Sequence, residues 1–243
     1  MSKKNRIRMY IDNVLEVGTQ LFCDEKQAHY LLNVMRLNVG DEVFVFNGKD
    51  GEFSTEVVDV QKKKCVLKVV SKLCEYSQCP DVWLLFAPLK KDNTDFVVEK
   101  ATELGVRKII PVITEYTSNQ KVKLERMILQ VTEASEQCRR QDVPMVCREE
   151  NLQKVLQNWD KNRKLIYLDE SLKSKPAQEQ MPKCKAPVAI LVGPEGGFSE
   201  KELEMLRNLD YTYGVSLGNR ILRAETAAVA SLACWQSYAG DWQ

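Results

Sequence analysis

The chain has a single histidine, His29, and none of its eight cysteines forms a Cys-x-x-Cys pair. Zinc and other soft-metal centres need clustered cysteine and histidine, so no metal site is expected. No apolar run approaches the roughly 20 residues that span a bilayer, and no membrane partner is expected. Met1 is not followed by a cleavable hydrophobic segment either. The cysteines, at 23, 65, 74, 79, 138, 147, 184 and 234, are therefore expected to be reduced thiols acting as small hydrophobes in a soluble cytoplasmic protein. An excess of one charge is also lacking. Thirty-five basic against 34 acidic residues leave a net +1, which excludes a whole-surface field for polyanions and confines any nucleic-acid contact to local patches. Lys3, Lys4, Arg6 and Arg8 form one such patch, ahead of the first acid, Asp12. The Lys62-Lys63-Lys64 triplet reads as a solvated loop or strand edge.

The familiar phosphate motifs are missing as well. Gly193-Pro194-Glu195-Gly196-Gly197 is not followed by the Lys-Ser/Thr of a P-loop and lacks the spacing of a dinucleotide fold. What is present is enough apolar material for a sizeable core, 44% of 243 residues. The first seventy or so residues read as β. Strands are expected at 9–11, 41–46, 52–60 and 65–70, with Asn47-Gly48 turning a hairpin and a short helix over 25–37. A small barrel with one helix is the economical architecture over 1–73, with 74–80 as linker. From Asp81 strands alternate with helices, which argues for a parallel sheet over 81–243. Strands are expected at 82–87, 108–112, 165–168, 188–192 and 212–217, and helices at 93–104, 121–140, 152–159 and 200–209, with a final helix ending at 238. The polar stretch 169–185 reads as a long loop, and the last helix, apolar on nearly all sides in its first half, as buried in a core or against another subunit.

Two loops carry the chemistry. Leu191-Val192 breaks into Gly193 to Gly197, and Leu217 breaks into Gly218-Asn219-Arg220-Ile221-Leu222-Arg223-Ala224-Glu225-Thr226-Ala227. Each is an apolar strand that opens into glycine and polar groups before a helix, which exposes backbone donors and acceptors at the carboxyl end of a strand, where open α/β sheets bind ligands. Ser199 and Glu202 form a capping-box pair, with Phe198 and Leu203 placed for a hydrophobic staple. Glu195 at the loop tip repels phosphate and suits a neutral or cationic ligand, such as an adenine edge or a sulfonium. Arg223 and Glu225 at the mouth of an apolar helix are costly there unless used or paired. Their simplest structural reading is a mutual ion pair, or capping of the helix by Glu225.

GPEGGFS followed by LGNRILRAETA resembles the signature of the SPOUT-class RNA methyltransferases, and within them the RsmE family. Residues 95–106 (DFVVEKATELGV), 133–138 (EASEQC) and 29–37 (HYLLNVMRL) resemble further segments of that family, so the likeness covers nearly the whole chain. The chain departs from the family in having Arg139-Arg140 where the family usually has Gly-Arg, and Asn93 where it usually has a basic residue.

The resemblance implies an α/β fold: a SPOUT trefoil-knot parallel-sheet domain behind a small PUA-like β-barrel that helps hold RNA. It implies S-adenosylmethionine as cofactor, held by Leu191, Val192, Gly193, Pro194, Glu195, Gly196, Gly197, Leu217, Gly218, Ile221, Leu222, Thr226 and Ala227. It implies a homodimer acting on N3 of a uridine in 16S ribosomal RNA, free or in the assembled small subunit. Glu225 is then the first candidate for the base that removes the N3 proton, with Glu195 second, and Arg223 would stabilise charge on the uracil oxygens. The reading that Arg223 and Glu225 only build the cofactor loop stands beside it. For RNA the candidates are Lys3, Arg6, Arg8, His29, Arg36, Arg139, Arg140 and Asn219. A SPOUT relative acting on another site, such as a ribose hydroxyl, and a non-catalytic RNA-binding factor are the alternative classes.

Overall fold

The computed structural model describes residues 6–171 and 173–242, so Lys3 and Lys4 lie outside the described residues. The chain forms two compact units. One is Met1–Gln78 with Ser135–Asp142, and the other is Cys79–Ala134 with Val143–Gln243.

In the first unit, β1 (Arg8–Tyr10), β2 (Gln20–Phe22), β3 (Glu42–Phe46), β4 (Glu52–Gln61) and β5 (Lys64–Cys74) form a sheet ordered β1-β3-β4-β5-β2. The hairpin between β3 and β4 forms as its turn chemistry dictates: Asn47 Oδ1 accepts from the backbone N–H of Lys49 at 3.0 Å and of Asp50 at 2.8 Å. Gly51 is obligatory there, because its φ is +98° and a Cβ would lie 2.2 Å from the Cys74 carbonyl oxygen. Lys62 and Lys63 are solvated at the β4–β5 turn. The helix expected over 25–37 is shorter: α1 (Glu25–His29) starts on an Asp24–Gln27 capping box and runs into a π-helical turn, Tyr30–Val34. Strand β2 escapes the sequence reading because three residues carry no usable period. Inward residues Met9, Leu21, Leu31, Val43, Val45, Val57 and Leu67 make the core.

Segment Ser135–Asp142 belongs with this unit for a polar reason. Arg8 is 5% exposed. Its guanidinium donates to Glu52 Oε2 at 2.8 Å, to the Ser135 carbonyl at 2.8 Å and to the Arg140 carbonyl at 2.7 Å. The Tyr10 N–H donates to Glu136 Oε1 at 2.9 Å. Arg8 thus supplies donors to carbonyls at a helix end, where cations are favoured.

Arg139 follows that helix with φ +67°, the left-handed conformation that ends many helices and favours glycine. Glycine at this position therefore answers a conformational demand that arginine meets at a cost. Arg139→Gly is expected to stabilise the protein by about 0.5–1 kcal/mol, the relief of strain being partly offset by glycine's larger unfolded-state entropy. A higher urea midpoint at unchanged slope is the check.

The second unit begins with β6 (Val82–Phe86), α2 (Lys91–Glu103), β7 (Lys108–Ile113), α3 (Leu124–Cys138), whose last four residues count with the first unit, β8 (Met145–Val146), β9 (Glu150–Asn151) and α4 (Leu152–Gln157). It continues with β10 (Lys164–Leu168), β11 (Lys175–Pro176), α5 (Ala177–Gln180), β12 (Val188–Val192), α6 (Glu200–Arg207), β13 (Thr212–Ser216) and α7 (Ala224–Ala239). The strands run parallel in the order β11-β13-β10-β12-β6-β7-β8, with β9 beside β7. Both faces are covered, which is why the strands read as continuous apolar runs. Leu84, Phe86, Ile166, Ile190 and Val192 pack toward α2 and α7, while Leu85, Leu165, Ala189 and Leu191 pack toward α4 and α6.

One expectation changes and another narrows. Residues 169–185 are not a plain loop: they hold β11, α5 and a 3-10 turn, Met181–Lys183. Met181 and Cys184 are fully buried, and the Cys184 carbonyl accepts from Trp235 Nε1 at 2.7 Å, so two apolar anchors fold a polar stretch. Helix α7 is buried by this chain's own core on one side only, which leaves the subunit alternative for the other. Ala224, Ala228, Ser231, Leu232 and Trp235 face the core, while Val229, Ala230, Ala233 and Cys234 stay partly exposed.

Candidate active site

Consecutive strands β12 and β13 are not neighbours, because β10 lies between them. Three adjacent carboxyl ends therefore converge, and the segments that follow them wall a cavity of about 810 Å³. That volume is in the range of small-molecule sites, roughly 300–1,000 Å³.

The first wall follows β12. Ser199 Oγ accepts from the Glu202 N–H at 3.3 Å, and Glu202 Oε2 accepts from the Ser199 N–H at 2.9 Å, completing the capping box. Glu202 Oε1 also accepts from the Glu115 N–H at 2.9 Å, which ties the start of α6 to the segment after β7. Between these fixed points the chain turns tightly, with the Gly197 N–H donating to the Pro194 carbonyl at 2.9 Å. Gly197 has φ +71°, and a Cβ would lie 2.3 Å from Glu170 Oε1.

The second wall follows β13. Arg223 is the N-cap of α7, with extended backbone and no side-chain capping bond. Its side chain is exposed at the cavity, and among the described residues no ion pair joins it to Glu225. The mutual-pair reading thus fails. Glu225 lines the cavity from the first turn of α7, and its Oε2 is buried without a hydrogen-bond partner. The positive end of the helix favours a carboxylate there. A buried oxygen left unpaired by the protein is costly, and a ligand that donates to it removes that cost.

The third wall follows β10 and was missed from sequence. Asp169, 4% exposed, accepts from the Ser171 N–H at 2.9 Å and from Ser174 Oγ at 2.6 Å. Burial pushes its carboxyl up, but the bonds from Ser171 and Ser174 outweigh this and leave it below the usual value. A carboxyl so depressed contributes stability that is present above the unfolded pKa, about 3.9, and is lost as pH falls through the lower folded value. Asp169→Asn is therefore expected to lower the thermal midpoint at neutral pH, with the gap to wild type closing as pH falls below about 4. Lys90 and Asn93, at the start of α2, also reach the cavity. The signal for the third wall was in the sequence: Asp169, like Gly193 and Gly218, stands just past the end of an apolar strand.

Of the residues expected to hold a cofactor, Val192, Gly193, Pro194, Glu195, Gly197, Leu217, Gly218, Ile221, Leu222 and Ala227 line the cavity, as do Asn219 and Phe198. Leu191 instead sits in the ladder between Leu85 and Tyr167, and Gly196 and Thr226 are not part of the lining.

The expected RNA contacts divide. Arg8 and Arg140 are both buried in this chain, Arg8 on Glu52 and Arg140 on Asp142 at 2.9 Å. Alternation placed Arg6 and Arg8 on one face correctly, but Glu52 lies on that face and takes both at 2.9 and 2.8 Å. Arg6, Arg36 and Arg139 are exposed, as is His29, whose Nδ1 meets Asn33 Nδ2 at 2.8 Å. Among the described residues, no helix is long and apolar enough to cross a membrane, and no cluster of three or more candidate ligands could hold a metal ion.

Comparison with known proteins agrees with this arrangement. An RNA methyltransferase domain model matches residues 76–236, and an RNA methyltransferase PUA domain model matches 23–70. Ribosomal RNA small subunit methyltransferase E of Rickettsia conorii is 33% identical over 93% of each chain. The Bacillus subtilis protein of that name is 32% identical over 85% of this chain and 86% of its own. Among solved structures, the Neisseria gonorrhoeae enzyme of the same name, bound to S-adenosyl methionine, superposes with a TM-score of 0.89 at 27% identity, covering 98% of this chain and 100% of that one. A Legionella pneumophila methyltransferase with bound SAM gives 0.89 at 29% identity, covering 98% and 99%. A two-domain match of this extent places the chain in the ribosomal RNA small subunit methyltransferase E family.

Proposed function

We propose that the protein transfers a methyl group from S-adenosylmethionine to N3 of a uridine in 16S ribosomal RNA. The observation that carries this is the Glu225 carboxylate, with Oε2 buried and unpaired at the wall of a cavity whose rim bears Arg223. The residues fit the cofactor: the cavity has the volume for it, its walls offer backbone of 192–195, 197 and 217–222, and Glu195 and Glu225 suit a cationic group. S-adenosylmethionine supplies, when bound, an electrophilic methyl on a sulfonium.

The chain's own residues then have three tasks. The two strand-end loops hold the ligands in line, since transfer depends on alignment of the attacking nitrogen. Glu225 accepts the proton from uracil N3, which carries it at neutral pH and is not nucleophilic until it leaves. Arg223 donates to the uracil oxygens on which the negative charge settles, a preformed partner that needs no rearrangement. Asn219, exposed at the rim, hydrogen-bonds the base edge.

The remaining parts follow the same reading. Residues 1–73 hold RNA through Arg6 and Arg36, with Arg139 from the segment packed on them, and 81–243 carry the chemistry. The catalytic unit is a trefoil knot, an exception to the rule against threaded chains. The protein is a cytoplasmic homodimer, and the partly exposed small residues of α7 suit close helix packing with a second copy. Mass spectrometry of small-subunit RNA from cells with and without the gene tests the assignment. Loss of N3-methyluridine on deletion supports it, and an unchanged level overturns it.

A further inference from the structure

The thiols of Cys23 and Cys65 meet across two antiparallel strands of the first unit. Strands β2 and β5 pair with Leu21 opposite Leu67 and Phe22 opposite Val66, so the next pair in register is Cys23 opposite Cys65. The register holds at that point, because the Cys23 N–H donates to the Cys65 carbonyl at 3.0 Å. Hydrogen-bonded antiparallel pairs have Cα atoms about 5.5 Å apart, within the window of about 4.4–6.8 Å that a disulfide spans. Cys23 shares its face with Leu21, so both sulfurs point into the same core. Cys65 is 1% exposed and Cys23 is half-buried, so Cys23 is the less enclosed of the two residues.

We infer that Cys23 and Cys65 are a modification site: a dithiol that small two-electron oxidants, peroxides or low-molecular-weight disulfides, convert reversibly to a cross-strand disulfide. Peroxide transfers oxygen to the sulfur of Cys23, the less enclosed residue, giving a sulfenic acid and one water. The Cys65 sulfur then attacks the Cys23 sulfur; the S–S bond forms, the S–O bond breaks, and the hydroxyl leaves with the Cys65 proton as a second water. Two thiols lose two electrons and one peroxide gains them. The hydrogen bond from the Cys23 thiol holds the Cys65 thiol below its usual value despite burial, while the same bond and burial push the Cys23 thiol up, so Cys65 is the attacking sulfur and oxygen transfer to Cys23 is the slow step.

The bond joins a three-residue edge strand to its neighbour and closes the chain segment that holds α1 and the β3–β4 hairpin. The oxidised form has a lower chain entropy when unfolded and so unfolds later. Little backbone movement is needed, because the paired strands already hold the two residues in place.

The test uses the full-length protein, treated with hydrogen peroxide or oxidised glutathione with and without later dithiothreitol. Expected are an intact mass lower by two hydrogens, a Cys23–Cys65 linked peptide after digestion, reversal by dithiothreitol and a higher thermal midpoint for the oxidised form. Cys23→Ser abolishes the linked peptide, and Cys74→Ser, which alters an exposed thiol elsewhere, keeps it. Cys23→Ala is a second variant should serine disturb the core. No mass loss, or a linked peptide containing any other cysteine, overturns the inference.

Discussion

Glu225→Gln is expected to lower methyl transfer by about 10²–10⁴-fold while S-adenosylmethionine affinity stays within a few-fold of wild type. The substitution keeps the shape of the side chain and one carbonyl oxygen, so the cavity wall is retained and the ability to take a proton is lost. In the structure Glu225 Oε2 has no partner to release and Arg223 is not bound to it, so no internal ion pair is broken. The effect therefore falls on chemistry. Calorimetry of cofactor binding beside single-turnover methylation of small subunits separates the readings. A fall in affinity matching the fall in rate makes Glu225 a wall of the cofactor site, and unchanged rate and affinity leave it without either role.

Arg8→Ala is expected to destabilise the first unit by about 3–5 kcal/mol, the cost of removing one partner from a buried charge network. The variant leaves Glu52 with Arg6 alone, strips donors from the Ser135 and Arg140 carbonyls, and removes the guanidinium stacked 3.7 Å from the Phe46 ring centroid. Arg6→Ala is the internal comparison. It breaks a pair to the same Glu52 from a side chain that is 41% exposed, and its cost is about 0–1 kcal/mol. Denaturant unfolding of the two variants measures the contrast. Should Arg8→Ala leave stability intact and weaken RNA binding with a shallower salt dependence, Arg8 is a phosphate contact after all.

Those two residues also mark what a sequence displays and what it does not. The place of Glu225 at the cavity was legible because a charged group opening an apolar helix is conspicuous, and because its loop repeats the pattern of the Gly193 loop. Strands β6, β7, β10, β12 and β13 were legible from their apolar runs, while the two-residue β8, β9 and β11, largely exposed, carried no such signal, and the helix after Gly197 was legible because its capping box is local. Chain order, hydrophobic period and caps depend on residues a few positions apart, and those one sequence displays. The pairing of Arg8 was not legible, because strand alternation gives a shared face without saying what lies on it. Glu52, 44 positions away, and the carbonyls of Ser135 and Arg140 decide that arginine's role.

The same limit explains the other changes. Residues 169–185 look like a loop until Met181 and Cys184 find a core and Trp235 binds the Cys184 carbonyl. Arg139 looks like a bulky cation where the family has glycine, and only its φ of +67° shows that the position asks for a conformation. The sequence by itself determined the two-part α/β organisation, the two glycine-bearing loops and the acid and base groups near them. The tertiary structure decided that β10 lies between β12 and β13, which brought Asp169 into the site as a third wall, and that Glu225 is left unpaired at the cavity. Strand order and side-chain pairing are set by contacts between distant parts of the chain, and a linear pattern does not contain them.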